Sequence, residues 1–153
     1  MNPLAEQLLR LVDVRLLDPL EILLEDAEIP GGLRIVLRRR AAVWAETIEK
    51  NDHAAAVHTI ARIIATLYPD EHAFTPPPEW WRTPLGQAVL RTVGHPYAEA
   101  VSLATAGAML GISRQGVHDL VRRGKLPRHP GGGVPVNAIR ERLLDHPPTG
   151  ESP

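Results

Sequence analysis

The stretch Ser102-Leu103-Ala104-Thr105-Ala106-Gly107-Ala108-Met109-Leu110-Gly111-Ile112-Ser113-Arg114-Gln115-Gly116-Val117-His118-Asp119-Leu120-Val121-Arg122-Arg123-Gly124 decides how the chain folds. Its residues predict two short helices joined by a tight turn. Ser102 can accept hydrogen bonds from the first N–H groups of one helix, and Ser113 can do the same for the next. Ala106 and Gly107 are small where a second helix must cross closely, and Leu110 is placed to plug the corner. Gly111 stands where the turn needs a positive φ, which only glycine adopts without steric cost. Ile112 is expected to turn inward. Val117 and Leu120, three residues apart, supply the buried face of the second helix. That helix therefore presents Arg114, Gln115, His118 and Arg122 to solvent.

The pattern continues downstream. Arg123-Gly124-Lys125-Leu126-Pro127 leads out of the second helix, and Arg128-His129 and Val134-Pro135-Val136 flank a Pro130-Gly131-Gly132-Gly133 turn. Asn137 is expected to cap a closing helix over residues 138–144. Over about residues 101–144 the chain resembles the winged helix-turn-helix of the excisionase and MerR-like superfamily. That resemblance implies a second helix lying in the DNA major groove, followed by a two-stranded wing. Carried over position by position, it implies that Arg114, Gln115 and His118 face base edges, since Arg suits guanine and Gln suits adenine by bidentate geometry. It implies that Ser113, Arg122, Arg123, Lys125 and Arg128 hold phosphates and set the docking register. The chain departs from the family at the wing tip, where Pro-Gly-Gly-Gly stands in place of the usual arginines. The wing is therefore expected to be mainly structural beyond Arg128 and His129.

Charge supports an asymmetric molecule. The 153 residues carry 17 Lys+Arg and 18 Asp+Glu, a net charge of −1 that by itself argues against a polyanionic partner. Residues 1–100 sum to −4 and residues 101–153 to +3. Between Ser113 and Arg128 five cations face one acid, Asp119. A polyanion responds to the field within a Debye length of roughly 8–10 Å, so the local excess of positive charge outweighs the total. Arginine outnumbers lysine 15 to 2, a bias that suits a GC-rich bacterial genome.

Upstream, Leu4, Leu8, Leu11, Val12 and Leu16 follow helical spacing, predicting a first helix to Leu17. Asp18-Pro19-Leu20-Glu21 is expected to cap and start a second. Pro30-Gly31-Gly32 is expected to end it. A third segment runs from about Leu33 to Lys50, its first part readable as a short strand. Within it, Arg38-Arg39-Arg40 would fan out around a helix and pair with acidic neighbours. Asp52 predicts a fourth helix with the stripe Val57, Ile60, Ala61, Ile64, Leu67 and Tyr68, stopped by Pro69. Pro76-Pro77-Pro78 and Trp80-Trp81 read as a stiff connector whose aromatics dock on the N-terminal helices. Thr83-Pro84 restarts a helix along Leu85, Val89 and Val93 that Gly94 ends.

The expected architecture is mainly α. A small helical bundle spans residues 1–68, a Pro-rich linker 69–83, a helix plus winged helix-turn-helix 84–144, and a disordered tail 145–153. The chain lacks cysteine, so disulfides, thiolate zinc sites and Cys nucleophiles are excluded. No two histidines share the i, i+4 spacing of a metal pair; His53 and His58 are five apart. Gly131-Gly132-Gly133 precedes Val-Pro rather than the Lys-Ser or Lys-Thr of a phosphate loop. Glu25 with Asp26 and Asp70 with Glu71 are adjacent rather than convergent, which leaves no general acid–base pair. No enzyme activity, metal or cofactor is therefore expected. No apolar run approaches a membrane span, and Glu6 precedes any cation at the N-terminus, unlike a secretory leader. The expectation is a cytoplasmic protein.

The resemblance implies sequence-specific binding of double-stranded DNA, as in a bacterial transcriptional regulator. The same module would serve an excisionase-like or architectural factor in mobile-element recombination. It would also serve an antitoxin or adaptor whose N-terminal domain captures a partner protein. One recognition helix discriminates weakly, so residues 1–68 are expected to form a homodimer or bind that partner.

Overall fold

The boundary of the first helix is set by Asn2, whose side-chain oxygen accepts from the backbone N–H of Leu4 at 2.7 Å and of Ala5 at 3.3 Å. Pro3 occupies the first helical position, where no N–H is needed. The computed structural model describes residues 2–50, 52–69 and 74–146. These residues are mainly helical and carry one small antiparallel sheet. The chain divides into two units, Met1–Glu71 and His72–Pro153.

In the first unit, helix α1 (Pro3–Val12) buries Leu4, Ala5 and Leu8. It runs through a π-helical turn, Asp13–Leu17, into α2 (Asp18–Leu24) without a break. Asp18 was expected to cap a new helix. Instead its backbone is helical, and its N–H reaches back to the Asp13 carbonyl. Pro19 is the physical reason, because a proline inside a helix lacks an N–H and crowds the carbonyl one turn earlier. Widening that turn to π geometry admits it. The chain reverses at Glu25, which adopts a left-handed φ of 53°, and Asp26 accepts from the N–H of Glu28 at 2.8 Å.

Helix α3 (Glu28–Lys50) then begins. Pro30-Gly31-Gly32 therefore lies in the first turns of a helix rather than ending one, and the expected short strand after Leu33 is helical. Pro30 is tolerated because the first turn needs no internal N–H donor. Helix α4 (His53–Leu67) starts at Asp52, whose carboxylate accepts from Ala55 N–H at 3.0 Å, and it ends before Pro69 as predicted. Helix α3 packs on both α1 and α4. It buries Pro30, Leu37, Ala41, Ala45 and Ile48, while α4 buries Ala56, Ile60, Ile63, Ile64 and Leu67. Arg34 ties α3 to the π turn and α2. Its guanidinium binds Asp13, Asp18 at 2.9 Å and Glu21 at 3.1 Å. Arg15 lies 4.1 Å over the Tyr68 ring and donates to the Leu67 carbonyl at 3.1 Å, closing the end of α4.

In the second unit, Pro78–Arg82 forms a turn of 3₁₀-helix. Trp81 is fully buried there, with its ring centroid 4.9 Å from Trp80 and 5.2 Å from His95. This aromatic turn packs on α5 and α6. Trp81 is thus part of the core of the second unit, with Trp80 half-buried beside it. The physical reason lies in α5 (Pro84–Thr92), where Gly86 lets the backbone of Trp81 approach so closely that a Cβ would sit 2.7 Å from its Cα. Thr83 caps α5 by accepting from Gly86 N–H at 3.1 Å. Strand β1 (Ala100–Val101), helices α6 (Leu103–Leu110) and α7 (Arg114–Arg122), strand β2 (Val134–Pro135) and helix α8 (Val136–Asp145) follow.

Two expectations about the sheet region are corrected. Strand β2 pairs with β1, Ala100 opposite Pro135 and Val101 opposite Val134, and not with Arg128-His129. Prolines at 127 and 130 remove ladder donors from that segment, and His129 closes only a turn with Gly133 at 2.9 Å. Gly133, with φ of 80°, lies against the Val101 carbonyl, where a side chain would not fit. Asn137 does not cap α8. The helix begins two residues earlier than expected, with Pro135 at the cap position and Val136 N–H bonded to the Glu99 carbonyl at 2.8 Å. Of the expected tail, residues 147–153 lie outside the described residues, while Asp145 is the last residue of α8.

Candidate nucleic-acid interface

The helix pair α6–α7 is built by the residues that the sequence singled out. Ser102 accepts from Thr105 N–H at 3.2 Å, and Ser113 accepts from Gly116 N–H at 3.0 Å. Gly111 takes a φ of 72°, and Ile112 N–H returns to the Gly107 carbonyl at 2.9 Å. Ala106, Gly107 and Val117 are buried at the crossing. Met109 is fully buried, while Leu110, expected at the corner, is half-buried.

Rotation of about 100° per residue places Arg114, Gln115, His118 and Arg122 within one arc of roughly 100° on α7, turned away from buried Val117. All four are exposed, as is Ser113 at the head of the helix. The helix N-terminus adds the partial positive charge of its free N–H groups to that end. Arg123 is the C-cap residue and follows this arc rather than sharing it. Gly124 (φ 72°) then turns the chain, and Lys125 N–H bonds to the Leu120 carbonyl at 2.8 Å. Leu126, buried to 2% exposure, pins this segment to the core and holds Lys125 and Arg128 out on either side of it.

The sequence reading missed the part played by Asp119. Its carboxylate accepts from Gln115 at 3.3 Å and lies 3.5 Å from Arg122. Two of the four solvent-facing side chains thus have an internal partner. The i, i+4 and i, i+3 spacings were visible in the sequence and would have found it. No hydrogen bond or ion pair among the described residues engages the side chains of Arg114, His118, Arg123, Lys125 or Arg128. Arg82, also missed, donates to the Ile112 carbonyl at 3.3 Å and adds a cation beside the head of α7. His129 lies 3.8 Å from Glu99 and accepts from Gly131 N–H through Nδ1 at 3.0 Å, so it serves the turn. Arg140 donates twice to the Arg91 carbonyl, at 2.9 and 2.7 Å, and closes the end of α5.

A separate polar feature lies in the segment that follows α5. His95 accepts through Nδ1 from the N–H groups of Tyr97 at 3.1 Å and Ala98 at 2.9 Å, and burial lowers its pKa below the usual 6.5. Among the described residues no group of three His, Asp or Glu side chains converges as a metal site would require. Among the same residues no helix is long and apolar enough to cross a membrane. The arrangement can supply directed donors, a helix N-terminus and exposed positive charge. Comparison with family models, curated proteins and solved structures finds no match to this chain.

Proposed function

We propose that residues 100–145 form a winged helix-turn-helix that binds double-stranded DNA sequence-specifically, and that the protein is a bacterial transcriptional regulator acting in the cytoplasm. The observation that carries this reading is the α7 arc. Arg114, Gln115 and His118 project together from a helix whose first N–H groups are capped by Ser113, with Arg122, Lys125 and Arg128 beside them. Donors aimed from a helix of this length suit the major groove, and the flanking cations suit the phosphates on either side.

In this reading α7 is the recognition helix. The glycine turn at 131–133, tied to His129 and braced by the β1–β2 pair, is the wing. Its tip carries no cation, so it supports the module rather than gripping DNA. Base readout by Arg114, Gln115 and His118 would discriminate by roughly 1–3 kcal/mol for each good bidentate contact, too little for a unique genomic site. Two copies of the module are required. Selection of bound sequences from a random duplex pool tests the reading. Enrichment of a two-fold motif is expected, whereas a pool that stays random after repeated rounds rejects it.

A further inference from the structure

A cavity of about 160 Å³ opens in the first unit where α1, the π-helical turn, α3 and α4 meet. Leu8 and Val12 of α1 and Leu16 of the π turn line one wall in steps of four. Trp44 is the contribution of α3, and Ile63 and Leu67 of α4 complete the apolar lining. Leu8, Ile63 and Leu67 are buried, Val12 and Trp44 are half-buried, and Leu16, 39% exposed, marks the mouth.

The rest of the lining is polar and confined to one edge. Thr59, Arg62 and Thr66 fall within an arc of about 60° on α4, on one side of Ile63 and Leu67. Among the described residues no acid lines the cavity. Among the same residues no hydrogen bond or ion pair takes up the Arg62 guanidinium, either threonine hydroxyl or the Trp44 indole N–H. An apolar space is thus edged by unused donors and one unpaired cation.

These features select a ligand. An apolar cavity of about 150 Å³ accommodates a benzene ring, so this one suits a single ring or a short acyl chain. A guanidinium presents a planar fork of donors that matches a carboxylate. Threonine hydroxyls beside it can donate to the remaining lone pairs. One cation balances one negative charge, which favours a monocarboxylate over a doubly charged phosphate ester.

We propose that this cavity binds a small monocarboxylate, with its apolar body between α1 and Trp44 and its carboxylate on Arg62. The site lies within the first unit and goes beyond the DNA reading. It is measured without DNA, so either stands or falls alone.

The test titrates the full chain at low salt with phenylacetate and with octanoate, followed by calorimetry. A ligand of about ten non-hydrogen atoms should bind here with a dissociation constant of roughly 0.1–1 mM. Tighter binding of phenylacetate assigns an aromatic acid, and tighter binding of octanoate an acyl chain. The primary amide of the acid that binds should be about fivefold weaker, the measure of one exposed charge pair. Arg62→Gln should keep the helical circular dichroism, because the position is exposed, and bring the acid down to the affinity of the amide while leaving the amide unchanged. Contact with Trp44 is read separately. Saturation should change the tryptophan emission of the natural protein, and Trp44→Phe should abolish that change although Trp80 and Trp81 remain. The proposal is overturned if neither acid gives saturable heat up to about 10 mM, ten times the weakest constant expected. It is also overturned if acid and amide bind alike, if Arg62→Gln binds the acid as well as the natural chain does, or if saturation leaves the emission of Trp44 unaltered.

Discussion

Gly107 in α6 lies beneath the carbonyl of Ile112, so close that a Cβ on Gly107 would come within 2.8 Å of that oxygen. The obstacle is backbone held in the turn between two helices, and it cannot rotate away as a side chain could. Gly116, in α7, is different. Its added Cβ would meet only the Ser113 hydroxyl at 3.3 Å and the Ile112 side chain at 3.5 Å.

These two glycines make opposite predictions. In a helix interior, alanine is favoured over glycine by roughly 0.5–1 kcal/mol. At Gly107 that gain is outweighed by overpacking, which costs roughly 1–3 kcal/mol. Gly107→Ala should therefore lower the urea midpoint, and Gly116→Ala should leave it unchanged or raise it. Equal effects at both positions would show that the helix crossing is looser than described.

The proposed DNA contacts would separate by their salt dependence. If Arg122, Lys125 and Arg128 hold phosphates, neutralising any one of them should flatten the slope of log affinity against log salt by about one unit and weaken all sequences alike. Arg114→Ala should instead relax preference at one base position and leave the slope less altered. Fluorescence anisotropy with selected and random duplexes across a salt series distinguishes the two patterns. Identical behaviour of all four variants on both duplexes would remove the division into readers and holders.

Asp119 restrains the proposed interface. It engages Gln115 and Arg122 and is the single acid between Ser113 and Arg128. Asp119→Ala should release both side chains and raise affinity for random DNA by about fivefold at low salt, equivalent to roughly 1 kcal/mol for one nearby charge. Selectivity should fall in step. Fold stability should barely change, because exposed ion pairs of this kind contribute roughly 0–1 kcal/mol. Unchanged or weaker binding would mean that Asp119 positions Gln115 productively rather than withholding it.

The helix pair was legible in the sequence because its determinants are local. Ser102, Gly111 and Ser113 each act within four residues of themselves, and local capping chemistry survives without knowledge of the rest of the fold. Where the reading failed, the deciding partner was distant or proline was ambiguous. Pro19 and Pro30 both suggest helix boundaries, yet one sits within a continuous helix through a π turn and the other opens a helix in its first turn. The partner of Val134–Pro135 lies some thirty residues earlier, at Ala100–Val101, and two-residue strands carry no periodic signal. Trp81 could bury itself in either unit by composition. Only the close approach at Gly86 and the bond from Gln87 to its carbonyl, at 2.7 Å, decide which.

The half-buried His95 gives the second unit a pH dependence whose sign follows from its bonding. Its Nδ1 accepts two backbone N–H groups and therefore must carry no proton, and burial lowers its pKa below 6.5 in the folded state. The unfolded chain then binds more protons than the folded one across that interval, so unfolding becomes easier as pH falls. The stabilisation is fully present above 6.5 and is lost as pH drops through 6.5 toward the folded value. His95→Asn keeps a side-chain acceptor for Tyr97 and Ala98 but cannot titrate. Urea denaturation at a series of pH values, followed by tryptophan fluorescence, should show a steeper acid-side loss in the natural protein than in His95→Asn. Trp81 lies tilted against His95, at 5.2 Å between ring centres, and reports the event directly. Parallel pH profiles for the two proteins would mean that His95 binds its proton equally in the folded and unfolded chains, against the shift that burial imposes.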